Sequence, residues 1–496
     1  MSPSRRDFLR QAGGLLLVSG LSPAARAARK TFQDPYSRGV WLGGDHHIHT
    51  KYSIDGRYEV GQQVALAQRN GLDFCVITDH GGPTHTKVVA TKAYEELLQA
   101  RKDHPGIVVF QGLEWNIPAA EHGSIIVPPT ADEARLVAEF ERRFDGKNGR
   151  LSEADATDGV RYLETLPQKP LFFANHPARR GLDSPHELRA WADAGPHVMR
   201  GFEGAPGHAA ATFSGELRGH YSDRPSEGSF AGYPSESYRT HGGYDYYTSQ
   251  VGGLWDALLS EGRPFYITCN SDSHHHHGDM ERVQTQNFRS EGHVSRSGQQ
   301  VAWLPGVVRP DTDYSPGIYT ATRVFADSRD PLAILAAMRS GNMFTCLGGL
   351  IDSFRCYLHD GEQAVPMGGF LRTRRGANLE LVVEIEPAQT SNLGGYFPVL
   401  DHVDLIVGQV LPHNPNRDNW HNPTARVLRR VRAAHLTRHG TRLLLRHRFS
   451  RVDHSFYVRL RGTNTDVAAP QSDPPHIDPW SDLWFYGNPI FALVAE

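Results

Sequence analysis

No segment of this 496-residue chain is both apolar and as long as the roughly 18 residues that a membrane-spanning helix needs. We therefore expect no insertion into a membrane. Once the N-terminal leader described below is set aside, we find no basic tail and no Lys/Arg-rich stripe, so the composition does not indicate a nucleic-acid partner. The chain also lacks internal repeats, and low complexity is confined to the run His274–His277.

Cysteine is scarce, with four in the whole chain. Cys75 and Cys269 lie in apolar, strand-like runs, where we expect buried thiols rather than a disulfide framework. Cys346 and Cys356 could pair in an oxidising compartment, and the sequence leaves that pairing open.

The first 27 residues have the pattern of a secretory signal peptide, which we assign to 1–27. Arg5 and Arg6 precede a short apolar run, and small residues at 25 and 27 form a cleavage site. The stretch SRRDFLR resembles the twin-arginine export motif, whose machinery carries folded proteins, so we expect a periplasmic or secreted location and that machinery as a partner during export. Cleavage after Ala27 would remove four arginines and one aspartate, and change the formal charge from −3 to −6.

The rest of the chain divides into two parts with different patterns of predicted secondary structure. From 36 to 352, strand-like segments alternate with helix-like ones, as in DFCVITDH followed by TKAYEELLQARKDH. This alternation predicts an α/β domain with a parallel sheet and crossover helices, most simply closed as a β/α barrel. From 353 to 496, short strand-like runs separated by turns predict an all-β, sandwich-like domain. A long stretch at 207–250, rich in Gly, Ser, Tyr and His, is expected at the mouth of the barrel.

Imidazoles and carboxylates recur at the carboxyl ends of the predicted strands, where the strands of a β/α barrel converge on one pocket. In DHHIHT, two histidines stand two residues apart, and strand alternation puts them on the same side. The group includes no thiolate, which suits Zn, Mn or Fe, and its size suits two or three ions close together. The candidate metal ligands are His47, His49, Asp55, His80, Glu114, His122, His176, Asp272 and His274.

The order of these residues resembles that of the PHP (polymerase and histidinol phosphatase) superfamily. The first motif of that family, D-x-H-x-H-T-x-x-S-x-D/H-G, matches Asp45 to Gly56, and GLDFCVITDH, NHP and SDSH follow in family order. The resemblance covers about Val40 to Ser353. It implies a distorted, seven-stranded β/α barrel and a metal-dependent hydrolase.

The resemblance also implies three metal sites. The first would use His47, His49, Glu114 and Asp272. The second would share Glu114 and add His122 and His176. The third would use Asp55, His80 and His274, although family members often have histidine where Asp55 stands, and this aspartate could instead be a turn residue.

The implied chemistry is hydrolysis by a hydroxide held between two cations, which lower the pKa of bound water toward about 7. Asp272 could act as the general base, and His274 or His80 could assist the leaving group if the third site is empty. Arg179 and Arg180 could hold phosphate oxygens, because a guanidinium matches that geometry, or could lie on a solvated loop. We expect Asp45 to orient an imidazole and His46 to point away from the site.

Three functions remain open from the sequence. The first is an exported phosphoesterase, of phosphatase or phosphodiesterase type, acting on a small-molecule substrate. The second is a carbamate, ester or amide hydrolase, because the β-rich C-terminal part and the ending GNPIFA loosely resemble secreted members such as the carbaryl hydrolases. The third is a non-catalytic protein that binds metal or a surface.

Overall fold

The computed structural model describes residues 32–207, 221, 224–274, 288–294, 314–474 and 478–495. The predicted signal peptide lies outside these residues, as do His275, His276 and His277 and part of the stretch at 207–250. Within the described residues, no helix combines the length and the apolarity that a membrane span requires.

A ring of strands forms the centre of the N-terminal part. Strands β1 to β7 pair in chain order, parallel except that β4 is antiparallel to both of its neighbours. The ring closes where Ile48 bridges Ser273, and the His49 amide donates a hydrogen bond of 2.9 Å to the Ser273 carbonyl. The predicted α/β fold with a distorted, seven-stranded barrel is thereby confirmed. The strands are Val40–Ile48 (β1), Phe74–Ile77 (β2), Val108–Asn116 (β3), His122–Ile126 (β4), Leu171–Ala174 (β5), Met199–Pro206 (β6) and Tyr266–Asn270 (β7).

Helices connect these strands and follow local sequence signals. Ser184 and Glu187 form a reciprocal capping box that begins α5, and Gly341 in the left-handed conformation ends α9. The polar stretch at 128–166 contains α3 and α4. The helices are Val60–Arg69 (α1), Lys92–Asp103 (α2), Glu133–Phe144 (α3), Glu153–Thr165 (α4), Pro185–Ala194 (α5), Tyr246–Ser249 (α6), Leu254–Ser260 (α7), Phe288–Glu291 (α8) and Pro331–Ser340 (α9).

The C-terminal part is β-rich, as predicted, and is built from two packed sheets. One sheet continues from the barrel through β8, β9, β19, β18, β14 and β15, with β12 beside β19, and the other has the order β11-β10-β13-β17-β16. The rings of Phe354 (β10) and Phe485 (β19) lie 5.3 Å apart between them. The strands are Thr320–Ala326 (β8), Met343–Leu347 (β9), Ile351–His359 (β10), Ala364–Pro366 (β11), Phe370–Arg374 (β12), Ala377–Pro387 (β13), His402–Gln409 (β14), Arg426–Arg432 (β15), Thr437–His439 (β16), Arg442–Val452 (β17), Phe456–Thr463 (β18) and Trp484–Ala495 (β19).

The two parts share this continuous sheet. Strand β9, from before residue 352, pairs with β19 near the end of the chain. The domain boundary between 352 and 353 stays a prediction, because hydrogen bonds of one sheet extend across it.

All four cysteines are buried, free thiols. Cys75 and Cys269 therefore have the environment that their apolar runs predict. Cys346 and Cys356, whose pairing the sequence left open, are not joined by a disulfide.

The expectation that no arginine-rich stretch follows the leader needs a correction. Nine arginines and no acidic residue occur between Arg426 and Arg451. The fold brings carboxylates from elsewhere to several of them, since Arg430 pairs with Asp404 at 2.7 Å and Arg446 with Glu380 at 3.3 Å. Part of this positive charge is thus neutralised within the β-rich region.

Candidate metal centre

The predicted metal ligands come together at the carboxyl ends of the barrel strands. They surround a cavity of about 440 Å³, below which His47 and His49 are completely buried. No purely hydrocarbon side chain lines this cavity among the described residues. Its lining consists of Asp55, His80, Glu114, His122, His176, Arg179, Arg180, Ser226, Asp272 and His274.

The first expected group of ligands is compact. His47 Nε2 lies 3.0 Å from Glu114 Oε1 and 3.1 Å from Asp272 Oδ1. His49 Nε2 lies 3.3 Å from Glu114 Oε2 and 3.2 Å from the same Asp272 oxygen. His47, His49 and Asp272 thus offer three ligand atoms that lie within 4.8 Å of one another, as a single cation requires, and Glu114 contacts both imidazoles.

The second expected group lies on the other side of Glu114. Glu114 Oε1 is 3.2 Å from His122 Nδ1 and 3.3 Å from His176 Nε2. Because the same carboxylate also contacts the first group, it is placed where a ligand shared by two ions would be.

The third expected group is also assembled. His80 Nε2 and His274 Nε2 lie 3.1 and 3.6 Å from Asp55 Oδ2, and His80 Nδ1 lies 2.7 Å from Glu114 Oε2. The ring of His274 stacks on that of His49 with centroids 4.1 Å apart. Asp55, which the sequence allowed to be a simple turn residue, therefore lies among the imidazoles.

Unusual backbone at two strand ends aims two of these side chains. His176 and Asp272 have φ angles of 31° and 50°, in the left-handed region that residues other than glycine rarely adopt. Hydrogen bonds fix both turns, since the His176 amide donates to Glu203 at 2.9 Å and the Ser271 amide donates to Asp45 at 3.0 Å. Strain of this kind persists where the surroundings enforce it, often at functional sites.

Side chains that the sequence did not reveal hold the ligands in place. Glu203 Oε1 accepts a hydrogen bond of 2.8 Å from His47 Nδ1, and Ser53 contacts His49 Nδ1 at 2.9 Å. Asn175 Nδ2 donates to Glu114 Oε1 at 3.0 Å. In the sequence, Glu203 was marked only by its position at the end of the strand-like run HVMRGFEGA. That position does not distinguish a residue that orients a metal ligand from one that lines the pocket.

Of the two expectations about Asp45 and His46 in the first motif, the structure differs from the first and agrees with the second. Asp45 does not orient an imidazole. Its oxygens accept hydrogen bonds from the backbone amides of His47 and Ser271, so it shapes the turns instead. His46 points away from the site, as expected, and its Nε2 contacts Thr268 at 2.8 Å.

A further carboxylate, Glu121, lies behind the two arginines. Arg179 Nη2 donates to Glu121 Oε1 at 2.5 Å, and Arg180 Nε lies 3.7 Å from Glu121 Oε2. The Arg179 side chain is 14% exposed and that of Arg180 is 51% exposed, and both line the cavity. The alternative that these arginines lie on a solvated loop therefore holds in part for Arg180, but it does not hold for Arg179.

The charges of these groups depend on one another. Burial disfavours the imidazolium of His47, but the carboxylates of Asp272, Glu203 and Glu114 raise its pKa well above the usual value. Burial also disfavours charged Glu203, yet His47 lowers the pKa of that carboxyl to about 2. For Glu121, Arg179 overcomes the effect of burial and lowers the pKa to about 2. The carboxylates of Glu203 and Glu121 are thus ionised, and neighbouring basic groups compensate their charge.

The donor atoms fit bound cations. Glu114 Oε2, His80 Nδ1 and His122 Nδ1 are buried and make no hydrogen bond within the described part of the chain, although each lies close to another ligand atom. Buried polar atoms are rarely left without partners. Nitrogen and carboxylate oxygen donors facing one another at about 3 Å are arranged as ligands of shared divalent ions.

Comparison with known families agrees with the motif. The family model of the PHP domain matches residues 45–170, which include six of the nine predicted metal ligands, from His47 to His122. This part of the chain is similar to PHP domains. The match does not extend over the rest of the barrel or the β-rich region.

Two solved structures are similar to the chain. One is a two-domain protein containing a predicted PHP-like metal-dependent phosphoesterase from Bacteroides vulgatus, with 16% identity, 89% of this chain and 96% of that chain covered, and a TM-score of 0.38. The other is an endonuclease Q in complex with a 27-mer duplex bearing an abasic lesion, with 13% identity, 47% and 49% covered, and a TM-score of 0.26. No curated protein matches the chain at a significant level.

Proposed function

We propose that the protein is a metal-dependent hydrolase that cleaves phosphoesters of small molecules. The observation that carries this proposal is the convergence of the nine predicted ligands on one polar cavity whose wall also holds Arg179 and Arg180. Imidazole and carboxylate donors suit Zn, Mn or Fe, and the guanidinium groups suit a phosphate. A cavity of about 440 Å³ is in the size range of small-molecule sites.

Each group has a definite task in this proposal. Bound divalent ions supply Lewis-acid activation of water and of the substrate oxygen. Asp272, at the floor of the cavity, would accept the proton of the attacking water, and His274 or His80 would protonate the leaving oxygen when the third site holds no ion. Arg179 and Arg180 bind the non-bridging oxygens, which fixes the phosphorus in the cavity.

The lining of the cavity favours phosphoesters over aryl carbamates. An aryl carbamate is uncharged and presents a ring, which needs an apolar surface to pack against. The described lining offers charged and polar side chains instead, including two arginines. We therefore do not propose the carbamate activity.

The test compares substrates on metal-reconstituted protein. Aryl phosphates, aryl phosphodiesters and aryl carbamates would be assayed with Zn, Mn and Fe, and metal content would be measured in parallel. We expect phosphoester cleavage that the double substitution His47→Ala/His49→Ala abolishes together with bound metal. A clear preference for carbamates, or turnover and metal content that both survive the double substitution, would contradict the proposal.

We also propose export through the twin-arginine pathway, which the SRRDFLR motif and the cleavage site support. Replacing Arg5 and Arg6 by lysine should retain the protein in the cytoplasm with its signal peptide uncleaved. Replacing Arg29 and Arg38 by lysine provides a control with the same chemistry outside the motif and the cleavage site. Equal amounts of mature protein in the periplasm from both variants would contradict this route.

A further inference from the structure

Glu121 lies between the two arginines and the second group of ligands. Its carboxylate binds Arg179, lies 3.7 Å from Arg180, and is 3.9 Å from the Nδ1 atoms of both His122 and His176. The residue is only 1% exposed, so it lies behind the cavity wall and does not itself meet solvent. Its backbone is fixed as well, since the Glu121 amide donates to Asp183 at 3.0 Å.

The arginine next to it keeps hydrogen-bonding capacity for a ligand. Arg179 Nε and Glu121 Oε2 are both buried and have no hydrogen-bond partner among the described residues. Only one edge of the guanidinium is engaged by Glu121, through Nη2. A guanidinium has five N–H groups, so others remain available to oxygens entering the cavity.

We propose that Glu121 is a specificity residue that lowers the advantage of doubly charged phosphomonoesters over singly charged phosphodiesters at this wall. The proposal rests on the proposed phosphoesterase function and concerns its substrate class. Glu121 does not touch the substrate; it acts through Arg179, which it orients, and through its own fixed negative charge.

The physical argument is one of charge. Two arginines and one carboxylate leave a single net positive charge on this wall. A monoester carries about −1.5 to −2 charges near neutral pH, whereas a diester carries one. Because Coulomb repulsion from a buried carboxylate scales with ligand charge and is weakly screened, it weighs more heavily on the monoester.

The test measures binding, so it does not depend on turnover. Methylphosphonate is doubly charged at alkaline pH, and dimethylphosphinate is singly charged. Their methyl groups are attached to phosphorus by P–C bonds, so neither anion has an ester bond that could be hydrolysed. Their dissociation constants would be measured calorimetrically on metal-loaded wild-type protein and on Glu121→Gln, which keeps the size and the acceptor for Arg179. We expect Glu121→Gln to shift the ratio of the two constants toward methylphosphonate by about tenfold.

Three controls make the outcome decisive. Glu95→Gln removes an equal charge from an exposed helix position and should leave the ratio unchanged. Glu121→Asp keeps the charge and should retain the wild-type preference. If Glu121→Gln does not fold, Glu121→Met, which removes the charge and has a similar volume, is measured in its place and should shift the ratio in the same direction.

An unchanged ratio in folded Glu121→Gln, or an equal shift in Glu95→Gln, overturns the proposal. This result is distinguishable from failure of the proposed function. If no phosphoester is cleaved but the ratio shifts as expected, the charge selectivity stands and the hydrolase assignment falls. If phosphoesters are cleaved and the ratio does not shift, the reverse holds.

Discussion

The imidazole of His47 is held on both of its ring nitrogens. Nε2 faces Glu114 and Asp272, while Nδ1 is bonded to Glu203 at 2.8 Å. This is the arrangement by which proteins orient a metal-binding histidine and fix its tautomer. Glu203 also accepts from the amide of His176, so one carboxylate supports ligands of two expected sites.

Replacing Glu203 by glutamine should therefore weaken metal binding by about 10- to 100-fold. The amide retains the size of the side chain, but it carries no charge to stabilise the ligated imidazole. Competition with a chelator of known affinity would measure the effect. Glu236→Gln, at an exposed position, is the matched control, and equal affinities in the two variants would exclude the orienting role of Glu203.

At the scale of the elements, hydrogen bonds to Asp245 hold the loop that carries Arg179 and Arg180. Asp245 Oδ2 accepts hydrogen bonds from the Ala178 amide at 3.0 Å and from the Tyr221 hydroxyl at 2.7 Å. The segment containing Asp245 is in turn bound by Asp473 of the β-rich region, which accepts from two successive amides at 242 and 243. Part of the stretch at 207–250, which we expected at the mouth, thus positions the arginine loop.

Replacing Asp245 by asparagine should displace this loop, because an amide NH₂ would face the Ala178 or Tyr247 N–H that the carboxylate now accepts. We expect KM for a phosphoester to rise by about tenfold while kcat changes less, since one lost charged hydrogen bond is worth about 1.5–3 kcal/mol. Steady-state kinetics would separate the two constants. Asp327→Asn, on an exposed turn, should behave as wild type, and a fall confined to kcat would argue against loop positioning.

For the whole molecule, a buried ion pair joins the barrel to the β-rich region. Asp256 on α7 and Arg459 on β18 are both completely buried and share two hydrogen bonds of 2.8 Å. The guanidinium also lies over the Trp255 ring, 4.5 Å from its centroid. The β-rich region is therefore packed against the barrel as part of one structure.

Removing one partner of this pair should destabilise the protein strongly. Asp256→Ala leaves Arg459 buried without its counter-charge, which costs about 3–5 kcal/mol in the free energy of unfolding. Denaturant titration would measure this loss against Asp466→Ala, an exposed control. A change below about 1 kcal/mol would show that the pair contributes little to the stability of the interface.

Metal removal should also act on the whole molecule. Because the ligands come from β1, β3, the start of β4 and the ends of β5 and β7, bound cations link much of the barrel. A ligand present at 100 times its dissociation constant stabilises the native state by about 2.7 kcal/mol. Chelation should therefore lower Tm, and readdition of Zn, Mn or Fe should restore it. A melting temperature insensitive to both treatments would contradict a metal centre built into the barrel.

The sequence by itself determined the alternation of strands and helices, the β-rich texture of the last third and the candidate ligands. These features are local, because strand and helix periodicities and the residues at strand ends are set within a few positions. The motif order supplied the expected grouping of the ligands, and in the structure Glu114 contacts members of all three groups.

Only the tertiary structure decided the partners of those ligands. Glu121, Glu203 and Asn175 reach the site through backbone turns and contacts across the barrel that no local pattern encodes. The left-handed conformations of His176 and Asp272 likewise depend on distant acceptors, since a non-glycine residue adopts them only when its surroundings enforce them. The pairing of β9 with β19, about 140 residues apart, required the closed fold for the same reason: side chains distant in the chain meet only after it has folded.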